Sequence, residues 1–261
     1  MHEALTTPET AQLEAHEATI KQGLETFYEV GNALLAIRDG RLYRRDFKTF
    51  EEYCRSKWGM VASRARQLIG AAGVAANLEG VTNVTLSNES QARALASLAS
   101  ETQQLVWEYA VKAAPVVDDE PKVTAAHIRK AAYTVEILKS HGWQGEFTRA
   151  PVLLIDEEFH SIMPPIDEET RAGMESSILK LGVINPLDVW GNTILDGHER
   201  FFICMRLGIP FEVVQRSCAD RDATILFIYE SQLMRKNYTP SELDGISSMI
   251  AARVVSGEVN L

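Results

Sequence analysis

Cysteine is scarce in this chain. Cys54, Cys204 and Cys218 stand far apart, and no Cys-x-x-Cys pair occurs. That argues against a disulfide frame or a zinc knuckle, and a reducing cytoplasm is the expected setting. Long apolar runs are lacking as well. Stretches such as Ile225 to Tyr229 fall far short of the ~20 residues that a membrane-spanning helix needs. No basic segment followed by an apolar run opens the chain, so neither a signal peptide nor a membrane partner is expected. Positive charge is in deficit: 26 Lys and Arg stand against 36 Asp and Glu, a net charge of −10. Such a chain does not coat nucleic acid by bulk electrostatics, so any DNA contact must come from a local basic patch. The remainder is ordinary globular material, with 46% hydrophobic and 24% charged residues across 261 positions. That is enough for one large domain or two small ones.

The first part reads as all-helical. Residues 1–15 are polar and read as a frayed start. From Glu17 to Ile37 the apolar positions Leu24, Phe27, Val30, Leu34 and Ile37 recur at helical spacing, and Asp39-Gly40 ends the helix. Thr49 is placed to cap a helix from Phe50 to Lys57, Trp58-Gly59-Met60 is a break, and Ser63 is placed to cap a second helix through Ala72. Two short helices around a glycine turn have the pattern of a helix-turn-helix, at about 47–72. Charge agrees: from Arg38 to Arg66 there are nine basic residues against four acidic ones. Candidate DNA contacts are Arg44, Arg45, Lys48, Ser63, Arg64, Arg66 and Gln67. The plainer alternative is a helical hairpin with a solvated basic face.

Further helices follow. Asn88 starts a short one, Ser100 and Gln103 match a capping box, and Thr124 is placed to cap a helix through Leu138. His127, on that last helix, has no cysteine or second histidine at metal spacing and reads as a surface or capping residue. Pro115 to Pro121 reads as a loop and Lys139 to Arg149 as a linker, which sets a helical domain over 1–145 and a second domain over 146–261.

The second part alternates strands and helices, so the expected class is α+β. Val152 to Ile155 reads as a strand and Asp156-Glu157-Glu158 as a solvated acidic run. Asp167 is placed to cap a helix reaching Leu181. Val183 to Trp190 and Thr193 to Leu195 read as strands around Gly191-Asn192, a hairpin signal. Asp196-Gly197 then turns the chain into an apolar helix, Phe201 to Leu207, stopped by Gly208 and Pro210. A helix start behind a glycine turn leaves free backbone N–H groups and attracts anions, and Arg200 in its first turn carries a fork suited to phosphate. Phe211 to Val214 reads as a strand, and Asp220 to Arg235 as a helix with Ile225, Leu226 and Ile228 inward. Thr239-Pro240-Ser241-Glu242 has the form of a capping box for a helix reaching about Val255.

Three boxes in this part carry a family resemblance. Ile194-Leu195-Asp196-Gly197-His198-Glu199-Arg200, continued by Cys204 and by Leu207 to Val213, resembles the central box of the ParB-like superfamily, which includes partition proteins and sulfiredoxins. Ser231-Gln232-Leu233-Met234-Arg235, with Pro240 and Glu242 after it, is similar to the later Glu-Asn-x-x-Arg box. Ile178 to Leu181, Gly182 and Val183 to Leu187 resemble the approach segment, and together the boxes span about 150–245. The segment Ala33 to Leu78 is similar to helical modules of phage and plasmid proteins.

The resemblance implies a nucleotide or phosphate site at Gly197, His198, Glu199, Arg200, Gln232, Arg235 and Lys236, with CTP or another NTP and Mg²⁺ as cofactors. It implies a DNA-associated protein of a plasmid, phage or integrated element, acting in partition, replication or transcriptional regulation, with DNA and nucleotide as partners and a homodimer as the assembly. Departures bear on the chemistry. The family's Gly-Glu-Arg-Arg reads Gly197-His198-Glu199-Arg200 here, so one of two arginines is missing, and Ser231-Gln232 stands for Glu-Asn. Without that Glu, slow or absent CTPase activity is expected. Sulfiredoxin activity is not, because Gly197 rather than a cysteine precedes His198 and Cys204 reads as a packing residue. His198 reads either as a phosphate or acid–base group or as a cap of the turn. A nuclease or phosphotransferase on the same fold, and a protein-interaction adaptor, are the alternative classes.

Overall fold

A computed structural model describes residues 5–22, 27–147 and 150–234, together with the single helical positions Asp244 and Ser248. The fold is α+β, rich in helix with two small sheets. It divides into two compact units: Met1–Val111 with Val117–Arg129, and Lys112–Val116 with Lys130–Leu261. No described helix is long and apolar enough to cross a membrane.

The first unit opens with α1 (Thr7–Gln22) and α2 (Phe27–Asp39). Of the residues expected to fray, 1–4 lie outside the described residues, and Thr7 to Ala15 belong to α1. Its Leu13 and Ile20 are buried in the same core as Val30, Leu34 and Ile37 of α2, and that packing offsets the weak local signal. After a 3₁₀ turn (Leu42–Arg45) come α3 (Phe50–Trp58) and α4 (Ala62–Asn77). Thr49 caps α3 as its sequence implies, accepting from the Glu52 amide at 3.1 Å, and Gly59 ends the helix at φ +63°. Ser63 does not cap α4: the helix begins two residues earlier than that cap would set it, at Ala62 behind Val61, with no side-chain cap, and Ser63 lies inside its first turn.

The α4 helix packs chiefly on α2, and the approach is tight. A β-carbon on Gly31 would sit 2.3 Å from the Leu68 carbonyl oxygen and 2.6 Å from the Ala72 β-carbon, so glycine is what lets the two helices meet. Two further helices are α5 (Glu89–Leu95), capped by Asn88 as expected, and α6 (Ser100–Ala113). The capping box expected from Ser100 and Gln103 is not formed. The Gln103 amide instead donates to the Leu98 carbonyl and accepts from Asn77, both at 2.9 Å. Two-residue strands β1 (Val116–Val117) and β2 (Glu120–Pro121) lead to α7 (Ala125–Ser140), where Thr124 accepts from the His127 amide. Trp143, in the expected linker, is buried and donates its indole N–H to the Glu146 carbonyl.

The second unit takes in α7 from Lys130 onward and Trp143, and contains α8 (Glu157–Ser161), α9 (Glu168–Leu181), β3 (Leu187–Trp190), β4 (Thr193–Asp196), α10 (His198–Leu207), β5 (Val213–Gln215) and α11 (Arg221–Leu233). The sheet order is β4-β3-β5: β3 and β4 form the antiparallel hairpin expected at Gly191-Asn192, and β5 lies parallel to β3. The expected strand over Val152 to Ile155 is reduced to one parallel bridge, Leu154 to Thr193. Asp156 is not part of a solvated run. It is buried, caps α8, and is held by Arg221 and Lys130 at 2.7 and 2.8 Å; burial alone would push its carboxyl up, but these cations hold it well below the ordinary carboxylate range. Phe159, Ile162, Leu195, Ile225, Ile228 and Tyr229 form the core behind β4.

Candidate functional site

The chain runs β4, Gly197, α10, and this short path sets the geometry of the candidate site. Every residue of β4 is buried, so the strand end is held firmly. Gly197 follows at φ +96°, a conformation that a residue with a β-carbon rarely adopts, and it is the N-cap of α10 with no side-chain cap. The N-cap thus supplies no side chain to the first amides of α10, which is the arrangement that favours an anion.

Arg200 folds back across this turn. A β-carbon at Gly197 would lie 2.6 Å from Nη2 of Arg200 and 3.0 Å from its Nε, so the glycine provides the space the guanidinium occupies. Burial lowers the Arg200 pKa, and the nearby Asp188 carboxylate offsets this. Nη2 of Arg200 donates to Oδ2 of Asp196 at 3.1 Å. From α11, the fully buried Gln232 donates to Oδ1 of the same Asp196 at 3.5 Å, and to the Met163 sulfur at 3.4 Å. Asp188 lies opposite Asp196 in the strand register and is gripped by Arg216, with Nη2 at 2.7 Å. Gly197 and Arg200, its near neighbours in the chain, thus meet at Asp196 with Gln232, which α11 brings in from 36 residues away. The Asp188–Arg216 pair beside them was not anticipated. Its only sequence signal is an aspartate inside an apolar strand, which reads equally well as a solvent-facing position.

Two other expected residues point elsewhere. Glu199 is bound by Arg171 of α9 through two hydrogen bonds, at 3.0 and 3.2 Å. His198 turns inward: it is 3% exposed, and neither ring nitrogen has a hydrogen-bond partner among the described residues. Its ring centroid lies 5.2 Å from that of His160, whose Nδ1 meets the Tyr133 hydroxyl at 3.0 Å. His141 stacks at 4.2 Å on Phe202, which also touches His160 and His198. Burial, and then the neighbouring His160, push the His198 pKa down to about 3. Burial lowers that of His160 too, helped by His141 and opposed by Glu199. His198 is a neutral interior group and not a cap. Among the described residues, no three His, Cys, Asp or Glu side chains converge as metal ligands. Arg235 and Lys236 lie outside the described residues, as does the helix expected from Pro240 apart from the helical positions Asp244 and Ser248.

In the first unit, the basic stretch sorts into paired and unpaired cations. Arg44 bonds Glu9 at 2.7 Å, Arg45 bonds Asp46 at 2.9 Å, and Arg64 bonds Glu89 at 2.6 Å. Lys57 and Arg38 are paired too. Arg41, Lys48, Arg55 and Arg66 are exposed and have no ion pair among the described residues. Ser63, Arg66 and Gln67 lie on the exposed face of α4. That face continues through Gly70 and Gly73, where a β-carbon would meet nothing within 4 Å.

In comparisons with known proteins, no family model matches this chain, and neither a curated protein nor a solved structure matches it significantly.

Proposed function

We propose that the chain is a DNA-associated protein in which the second unit binds a phosphate-bearing ligand at the Gly197 turn and the first unit contacts the DNA backbone through the α3–α4 pair. The observation that carries the ligand reading is the start of α10: amides without a side-chain cap, behind a glycine at φ +96°, with Arg200 lying over the turn. A nucleotide triphosphate, CTP first among them by the ParB-like resemblance, fits this chemistry. Mg²⁺ is commonly held through substrate phosphates and few protein oxygens, so it does not require a ready-made protein cage. Binding requires Arg200 to exchange its Asp196 partner for phosphate. Support for the DNA reading comes from the unpaired Arg66 beside Ser63 and Gln67 on α4, and from Gly59 at the turn between two helices.

The Asp196–Arg200 pair also favours a second reading, in which the turn is only an internal lock and the protein is an adaptor. Calorimetric titration of the four NTPs, with and without Mg²⁺ and with and without DNA, separates the two. The expected result is Mg²⁺-dependent binding that Arg200→Ala weakens by roughly ten- to a hundred-fold, because a charge-assisted contact contributes about 1.5–3 kcal/mol. Arg200→Lys should restore it only in part, since lysine lacks the planar fork. If wild type binds none of the four, the lock reading stands. Slow or absent hydrolysis is expected with any of them, since Ser231 stands where the related box has Glu.

A further inference from the structure

A separate cleft of about 370 Å³ opens in the first unit, among the start of α2, the end of α4, the segment 78–87 and α6. Its size is that of a small-molecule site. Three aromatic residues line it: Phe27 and Tyr28 from α2, and Trp107 from α6. Tyr28 is 38% exposed, so one wall is open to solvent. Trp107 is buried, and its indole N–H is held by Thr82 Oγ1 at 3.1 Å, which fixes the ring. Thr82 is itself fully engaged, donating to the Val84 carbonyl and accepting from the Val84 amide.

The charge of the lining selects the ligand. Among the described residues, no lysine, arginine or histidine lines the cleft, and Glu79 is the one acidic side chain that does. Glu79 is exposed, and its carboxylate has no ion pair or hydrogen bond among the described residues. A phosphate or carboxylate ligand would meet a like charge and no cation. An ammonium ligand would meet a carboxylate and the faces or edges of aromatic rings, which attract cations when the ring face is presented. Leu78, Val84 and Leu86 supply apolar surface for the rest of the molecule.

We infer that this cleft is a binding site for a small organic cation, an amine with an apolar body, placed with its ammonium at Glu79 and its body against Phe27, Tyr28 and Trp107. The inference is independent of the phosphate reading, because it uses the other unit and the opposite charge.

The test is a titration of the full chain with 3-phenylpropylammonium, 3-phenylpropan-1-ol and 4-phenylbutyrate, followed by calorimetry. The amine should bind with a stoichiometry of one to one, the alcohol about tenfold more weakly, and the carboxylate not at all. Glu79→Gln, at an exposed position, should reduce the amine to the affinity of the alcohol while leaving the melting temperature unchanged. Tyr28→Ala should weaken both amine and alcohol. Equal binding of all three ligands, an unchanged amine affinity in Glu79→Gln, or no amine binding into the ~10 mM range would each overturn the assignment.

Discussion

His198 is the residue with the clearest physical signature. A buried imidazole with two unsatisfied nitrogens is tolerated as a neutral ring and strongly disfavoured as a cation. Its folded pKa of about 3 lies below the unfolded value near 6.5, so the neutral form is the one that folding favours. The stability it permits is fully present above pH 6.5 and is lost as pH falls from there towards 3. At pH 5 the loss from His198 alone is about 2 kcal/mol, and His160 adds in the same direction. Melting curves between pH 7.5 and 4.5 should fall steeply below pH 6.5 in wild type and less steeply in His198→Phe. Parallel curves for the two would show that the ring does not govern acid stability. Gly197 gives a second test. Alanine there is strained by φ +96° and collides with Arg200, so Gly197→Ala should destabilise by roughly 1–3 kcal/mol, and the double variant with Arg200→Ala should recover only the collision part.

Helix α4 shows how one residue type takes opposite roles on two faces of one packing. Gly31 of α2 faces α4 where the backbones touch, whereas Gly70 and Gly73 of α4 face open space. Gly31→Ala should cost about 1–3 kcal/mol through overpacking against the Leu68 carbonyl and Ala72. Gly70→Ala and Gly73→Ala should each raise stability by roughly 0.5–1 kcal/mol, because alanine lowers the conformational entropy of the unfolded chain and favours the helix. Denaturant midpoints for the three variants check both signs at once. A loss of DNA affinity in the two stabilised variants, without any loss of fold, would place that face against the nucleic acid.

The chain carries a net charge of −10, and its basic excess between Arg38 and Arg66 is largely consumed by internal pairs. If DNA is bound, few phosphates are neutralised and the salt dependence should be shallow. Arg66→Ala should reduce the slope of log affinity against log salt by about one unit, as expected for one lost phosphate contact. Arg64→Ala should reduce it less, because Arg64 is already neutralised by Glu89 at 2.6 Å. Equal slopes for wild type and Arg66→Ala, measured by fluorescence anisotropy from about 50 to 200 mM salt, would remove this residue from the interface.

Local chemistry made much of the fold legible in advance. The Thr49, Asn88, Thr124 and Asp167 caps, the turn at Gly191, the strand–glycine–helix path through Gly197 and the stop at Gly208 all rest on contacts within about four residues, and each stands where the amino acids imply. The α+β class follows from those elements in order. What packing alone settled lies at long separations. Leu13 and Ile20 order α1 because α2 covers them, against a polar local composition. Asp156 looks solvated beside two glutamates, yet Arg221, 65 residues away, and Lys130 make it a buried hub. His198, expected over the turn, faces inward, where α8 brings His160 against it. Arg200 holds Asp196 only four residues before it, but the Gln232 that reaches the same carboxylate comes from α11, 36 residues on. A side chain's neighbours four residues away are written in the sequence. The partner that buries or neutralises it comes from another element, and only the packed chain brings the two together.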